Sequence, residues 1–442
     1  MSRNMSPSEI SAPSSISRRP PAARTSSSPP LSPLSSLGIL EMDSLQGPSC
    51  LKIMTQLTPP TSPDLVRYST DVGTSISSVH STQSVVPASQ IRCSPSNADD
   101  GVEGGKTQLI IECSFEVDLS RDSSDRPQLF GQGAWSIVYQ ALRRQKPLSS
   151  VCKSAAIPTP PPSPQTTVPL LVAVKSPVSN ASRKILHNEA IILSHLNRTP
   201  YHENFIVSFY GYIPSSASLV LAPVPLSLSD QIVARARLAR ADHTDLSLAD
   251  PVLGSNGWLC LAEKLITALA WLHEIGGVVH GDIKPGNILL SPNRSPEDFA
   301  FDPLLIDFSS SHVLSSTIKT PNTLSALTRE YAAPELLSPT VLRDPSSTAT
   351  STSDVFSLAV TLIVAATGDL MVYGGSVLQR QYMATQGWDV LEFVRNGNSG
   401  TRVPSDGIVQ TVVERAVRKI EKGRIDAVSW TELVKALKRA VG

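Results

Sequence analysis

The stretch His280-Gly281-Asp282-Ile283-Lys284-Pro285-Gly286-Asn287-Ile288-Leu289-Leu290 sets a carboxylate, an ammonium and an amide at spacings of two and three. Pro285 and Gly286 punctuate it and an apolar run follows, which reads as a loop leading into a strand. Such a loop can aim all three polar groups at one point. Asp282 would take a proton from a hydroxyl, Lys284 would neutralise a transferred phosphate, and Asn287 would ligate a metal. Downstream, Leu304-Leu305-Ile306-Asp307-Phe308-Ser309 ends an apolar strand on a carboxylate. Alone, Asp307 reads equally well as the cap of a turn; paired with Asn287 it adds a second hard oxygen of the kind Mg²⁺ prefers beside substrate phosphates.

Two upstream segments fit the same chemistry. Gly131-Gln132-Gly133-Ala134-Trp135-Ser136-Ile137-Val138 is a tight glycine turn before a β-branched strand. With no Cβ in the way, glycine backbone can approach phosphate oxygens and offer them amide hydrogens, although a plain glycine hairpin has the same appearance. Val172-Ala173-Val174-Lys175 closes an apolar strand on an ammonium, which in isolation would be a solvated edge charge. Glu189 lies in the amphipathic stretch Arg183–Leu193, from which its carboxylate can hold Lys175 against nucleotide phosphates. Thr328-Arg329-Glu330-Tyr331-Ala332-Ala333-Pro334-Glu335 and Ser353-Asp354-Val355-Phe356-Ser357-Leu358 read as structural segments away from the reacting atoms.

The elements that must position these groups are also readable. Gln108–Ile111 and Phe115–Leu119 carry strand-like apolar content, as do Ile137–Leu142 and Leu170–Lys175. Leu261, Leu265, Leu269 and Leu272 mark one face of a helix, preceded by a polar stretch at about 239–257. Ile408, Val409, Val412, Val413, Ala416, Val417 and Ile420 form another apolar stripe, and Ser429-Trp430-Thr431-Glu432 has the capping-box pattern that opens a last helix. Strands prevail first and helices afterwards. The predicted architecture is α+β, with a small β-rich lobe over 107–225 and a larger helical lobe over 226–442. A Pro/Ser-rich insertion, 147–169, separates two strands of the first lobe and should be a surface loop.

Residues 1–106 are dominated by Ser, Thr and Pro, too poor in apolar surface to offset the entropy of ordering, and read as a disordered tail. Ser6, Ser28, Ser32, Thr58, Ser62 and Ser94 each precede Pro, the dipeptide that proline-directed kinases prefer. The 442-residue chain has zero formal net charge and no long Lys/Arg block, so no nucleic-acid or membrane-surface footprint is visible. The cysteines, Cys50, Cys93, Cys113, Cys152 and Cys260, are scattered without a C-x-x-C pair, which argues against a zinc module or disulfide framework and for a reducing compartment. The longest apolar run, Leu358–Ala366, is far short of the roughly 20 residues of a spanning helix. A soluble, cytoplasmic protein is expected, with the nucleus left open.

In this order and at these separations the motifs resemble the eukaryotic protein kinase family of the Ser/Thr type, from about Phe130 to Gly442. By that resemblance ATP and Mg²⁺ are the cofactors, and proteins phosphorylated on Ser or Thr the substrates. Gly131, Gly133 and Ser136 would cover the phosphates, with Gln132, Val138, Ala173, Leu221, Ala222, Val224 and Leu289 around the nucleotide. Leu221 would lie nearest the gatekeeper position, at the start of the hinge. Lys175 would bind the α- and β-phosphates and pair with Glu189; Asp282 would be the base, Lys284 the contact to the transferred group, and Asn287 and Asp307 the Mg²⁺ ligands. Three departures stand out. Gly281 replaces the arginine that usually grips a phosphorylated activation loop, Ser309 replaces the glycine after Asp307-Phe308, and Ala359 stands where the buried helix commonly has glycine. Between Asn287 and Asp307, Ser291–Phe301 reads as an enlarged hairpin loop. A catalytically silent scaffold is the rival reading, motivated by Gly281 and Ser309; a small-molecule kinase is a third, disfavoured by Tyr331–Glu335 and Asp354. The tail would receive phosphate from a separate proline-directed kinase.

Overall fold

The two apolar strands on either side of the Pro/Ser-rich insertion pair with each other at the centre of the N-terminal lobe. In the computed structural model, which describes residues 110–144, 170–241, 247–293, 299–314, 324 and 327–441, this lobe comprises β1 (Glu116–Leu119), β2 (Leu129–Gln132), β3 (Ser136–Arg144), β4 (Leu171–Pro177), α1 (Asn180–Leu196), β5 (Phe209–Ile213) and β6 (Ser218–Leu221). The sheet runs β1-β3-β4-β6-β5, with β2 also on β3, and every pairing is antiparallel. The face turned away from Lys175 (Ala141, Val172, Val174 and Val220) is apolar and buried, as alternation along the strands requires. Ser179 caps α1 by accepting the Ser182 amide, and Leu186, Ala190, Leu193 and Leu196 give it the i, i+4, i+7 stripe that packs on the sheet.

The second lobe contains α2 (Leu228–Arg240), α3 (Ser255–Glu274), β7 (Val278–Val279), β8 (Ile288–Pro292), β9 (Phe301–Leu305) and β10 (His312–Val313). It continues with α4 (Pro339–Arg343), α5 (Ser351–Thr367), α6 (Val377–Ala384), α7 (Val390–Arg395), α8 (Ile408–Val413) and α9 (Ala427–Val441). Helix α5 is almost wholly buried on every side, so it is the post around which α3, α8 and others pack. Ala359 is buried there without difficulty. The Trp258 indole donates to the Leu362 carbonyl at 2.9 Å, tying α3 to α5 through a group that would be costly to bury unpaired. Among the described residues no helix is long and apolar enough to cross a membrane.

Two details differ from expectation. The apolar stripe from Ile408 leaves the helical path after Val413, and Ile420 is exposed, because the chain turns there to bring Arg424 inward. The last helix is capped three residues before the Ser429-Trp430-Thr431-Glu432 pattern: Asp426 accepts the Ser429 amide at 2.8 Å and its hydroxyl at 2.7 Å. Asp426 therefore takes the capping role and Ser429 sits in the first turn. The proposed tail 1–106 and the insertion 147–169 lie outside the described residues, as do Gln108 and Leu109.

Candidate active site

Lys175 leaves the sheet from β4 opposite Val138 and Leu219, pointing to α1. There its ammonium donates to both carboxylate oxygens of Glu189 at 2.8 Å and to Asp307 Oδ1 at 2.8 Å. Lys175 and Glu189 are buried, so these charges interact through a medium far less polarisable than water. Burial works against the lysine charge, but the Asp307 and Glu189 carboxylates outweigh it and hold its pKa well above the ordinary lysine value. Asp307 is also resisted by burial, yet Lys175, with help from Lys284 and a Ser309 hydrogen bond, pulls its carboxyl far below the usual carboxylate range. For Glu189 burial wins and raises the carboxyl.

Asp307 adopts a left-handed conformation, φ 64°, that starts the turn Phe308–Ser310. The Phe308 amide donates to Glu189 Oε1 at 3.2 Å, and its ring lies 4.9 Å from that of His280. The conformational burden of this turn falls on Asp307, so Ser309 stands at its position without backbone strain, and its hydroxyl engages Asp307.

The catalytic-type loop hangs between α3 and β8. Asp354, buried at the start of α5, accepts the amides of His280 at 2.7 Å and Gly281 at 2.9 Å, together with the His273 ring at 3.0 Å. A carboxylate thus satisfies donors that a buried loop would otherwise leave unpaired. Asp282 accepts from Lys284 Nζ at 2.7 Å and from Asn287 Nδ2 at 3.2 Å, and Asn287 also donates to the Asp282 carbonyl at 2.8 Å. One segment expected to be remote touches this cluster: Thr328 donates its amide to Asp282 Oδ1 at 3.0 Å and takes Lys284 Nζ on its hydroxyl at 2.7 Å. Its signal in the sequence was only that of a hydroxyl residue shortly before Ala332-Ala333-Pro334. Arg424, also not anticipated, is buried and forms a bidentate pair with Glu335 at 2.5 and 2.7 Å.

The residues expected around a nucleotide lie on the glycine turn, on β3 and β4, at the end of β6 and the link to α2, and on β8. Gly133 donates to the Ser136 carbonyl at 2.8 Å, closing the glycine turn between β2 and β3. A Cβ added at Gly131 would meet nothing within 4 Å, so no contact among the described residues requires glycine there and the surface is open to a ligand. Val138 lies opposite Lys175, and Ala173 opposite Leu221, across the sheet. Ala222 and Val224 follow β6 in the half-buried link to α2, and Leu289 bridges to Ser227 just beyond that link. Asp307 and Asn287 are hard oxygen donors suited to Mg²⁺, which takes few protein ligands and completes its shell with phosphate and water. Gln132 lies exposed on β2.

A strand-rich lobe carrying a lysine–glutamate pair, stacked on a helical lobe carrying an Asp-Lys-Asn loop, is the two-lobed architecture of a protein kinase. The protein kinase domain model matches residues 125–407, more than half of the chain, and the chain belongs to that family. It is 29% identical over 269 residues to the serine/threonine-protein kinase ISR1 of Saccharomyces cerevisiae, covering 55% of this chain and 52% of that one. It is 34% identical over 123 residues to the serine/threonine-protein kinase AfsK of Streptomyces griseus, covering 28% of this chain and 13% of that one. Against the serine/threonine-protein kinase pkn3 of Myxococcus xanthus identity is 26% over 273 residues, covering 59% and 46%. The chain thus spans about half, or much less, of the length of these curated relatives.

Proposed function

We propose that this chain is an active Ser/Thr protein kinase, moving the γ-phosphoryl group of ATP to Ser or Thr hydroxyls of protein substrates with Mg²⁺. The observation that carries this reading is that Lys175, Glu189 and Asp307 are joined in one charge network, with Asp282, Lys284 and Asn287 bonded together beside it. Bound Mg²⁺ would neutralise phosphate charge as it is transferred. Lys175, braced by Glu189, would hold the α- and β-phosphates, and Asp307 and Asn287 would offer oxygens to the metal. Asp282 would receive the acceptor hydroxyl proton as the new O–P bond forms and the bond to the departing ADP breaks. Lys284 would offset charge on the transferred group, and Thr328 would keep Lys284 and Asp282 aligned. Gly131, Gly133, Ser136 and the pocket residues Gln132, Val138, Ala173, Leu221, Ala222, Val224 and Leu289 would bind the nucleotide.

Ser/Thr acceptors are favoured by Lys284, two residues after Asp282, and by the names of the relatives above. The proteins it modifies would be met in the cytoplasm, and the Ser-Pro and Thr-Pro sites of residues 1–106 would be modified by a separate proline-directed kinase. A silent scaffold is favoured only by Gly281 and Ser309, and both fit the assembled site without displacing an acid, base or metal-ligand candidate.

The deciding experiment follows labelled phosphate from Mg·ATP into a generic Ser/Thr substrate and into the chain itself, with Asp282→Asn and Lys175→Met beside the parent. Transfer by the parent and its loss in both variants supports the enzyme. Absence of transfer by a folded, ATP-binding parent would instead establish the scaffold.

A further inference from the structure

Residues Ile110–Phe115 precede the family-matched region and belong to neither the glycine turn nor the catalytic loop. They run along the outer edge of β5: the Tyr212 amide donates to the Ile111 carbonyl at 2.8 Å and the Cys113 amide to the Tyr212 carbonyl at 2.9 Å, a parallel bridge centred on Glu112 and Tyr212. The sheet is shaped to receive them. Gly211, at φ +138°, lies so close that a Cβ would stand 2.4 Å from the Cys113 nitrogen, and no other residue type would permit that approach. Phe115 closes the far end, edge-on to Tyr210 and under the Arg143 guanidinium at 4.3 Å.

The third contact of this strap reaches α1. The Ile111 amide donates to Ser194 Oγ at 2.9 Å, and Ser194 is fully buried on the helix that carries Glu189. Tyr212, which holds the strap by its backbone, also sets its ring against His187 of the same helix at 5.6 Å. A fully buried hydroxyl on a helix is costly unless paired, and here the Ser194 oxygen pairs with the strap. The strap thus joins the sheet to α1 roughly one and a half turns beyond the carboxylate that meets Lys175.

We propose that Ile110–Phe115 is a clamp, and Ser194 its positioning residue, that sets α1 where Glu189 engages Lys175. The catalytic part of this inference rests on the kinase reading above; the mechanical part does not.

The test uses the full-length chain with Ser194→Ala, and separately Ile111→Pro, which removes the amide donor while leaving the carbonyl that Tyr212 uses. Two measurements are made: kcat/KM for a Ser/Thr peptide, alone and in a Glu189→Gln background, and amide hydrogen exchange. The clamp predicts a roughly tenfold fall in kcat/KM for either variant, little further loss when they are combined, and no further loss in the Glu189→Gln background. Exchange should accelerate about tenfold in α1 while α3 and α5 stay protected. Equal fractional losses in the parent and Glu189→Gln backgrounds, or exchange accelerating equally in α1, α3 and α5, would reduce the strap to general stabilisation and overturn the proposal. Should the parent transfer no phosphate, the exchange pattern alone decides the clamp, so its failure and that of the kinase reading are separable.

Discussion

Gly281 packs its α-carbon against the backbone of Ser310: a Cβ at 281 would stand 2.6 Å from the Ser310 carbonyl oxygen, at φ +81°. The loop before Asp282 and the segment after Asp307 are therefore in direct backbone contact. Ser311 Oγ adds a bond to the His280 carbonyl at 2.8 Å, and β10 pairs with β7 just beyond. Gly281→Arg should lower the unfolding free energy by roughly 2 kcal/mol, from the left-handed backbone and the displaced carbonyl together. Equal denaturant midpoints and slopes for parent and variant would refute the close fit.

Those same contacts anchor the residues that follow Asp307. Leu314 donates to the Gly277 carbonyl at 2.8 Å, completing the anchorage. Chain treated with a broad phosphatase and then assayed on peptide should keep most of its activity. A loss of about tenfold or more, restored by preincubation with ATP, would mean that a modified residue supplies the missing grip. Ser315, Ser316, Thr317 and Thr320, which follow Leu314 in the sequence, lie outside the described residues.

Thr328 couples its segment to Asp282 and Lys284 through its amide and its hydroxyl. Thr328→Ala should lower kcat about tenfold with little change in KM for ATP, because Lys284 loses a partner while the nucleotide contacts remain. Thr328→Ser, which keeps the oxygen, should recover most of the rate. Steady-state kinetics of the two variants side by side checks this.

The Lys175–Asp307 pair gives a signed pH dependence of stability. Asp307 is depressed below its ordinary 3.8, so its contribution is complete above that value and lost as pH falls through the folded-state value. Lys175 is raised above its ordinary 10.5, so its contribution is complete below that value and lost as pH rises through the folded-state value. Stability from this pair should be level through neutral pH and decline below about pH 4. Urea unfolding across that range should show a shallower acid limb in Asp307→Asn.

Arg424 is wholly buried against Glu335, with its guanidinium 5.1 Å from the Phe356 ring. Glu335→Ala would leave that charge with only the Arg418 and Thr352 carbonyls as hydrogen-bond partners and should cost about 3 kcal/mol, more than removal of an exposed pair would. Replacing both residues with apolar ones should be far less damaging. The double-mutant cycle, measured by chemical unfolding, tests whether the cost comes from the stranded charge.

The candidate groups for chemistry could be picked out from residue type and spacing alone. Asp282, Lys284 and Asn287 lie within a single loop, and the hydrophobic periods of β3, β4, α1 and α3 follow from local backbone geometry, which a linear sequence records directly. Contacts that depend on where distant segments meet were not legible. Lys175 reaches Asp307 across 132 positions, Arg424 reaches Glu335 across 89 and Ile111 reaches Ser194 across 83. Nothing in the spacing of these residues encodes their meeting. The register of the sheet and the packing around α5 decide it; a local contact also put the cap of the last helix at Asp426 instead of Ser429, and the fold brought Thr328 from a segment read as structural onto Asp282 and Lys284. The residue types of the candidate site were thus set by the sequence, whereas their charge states, and the residues that hold them, depend on tertiary burial.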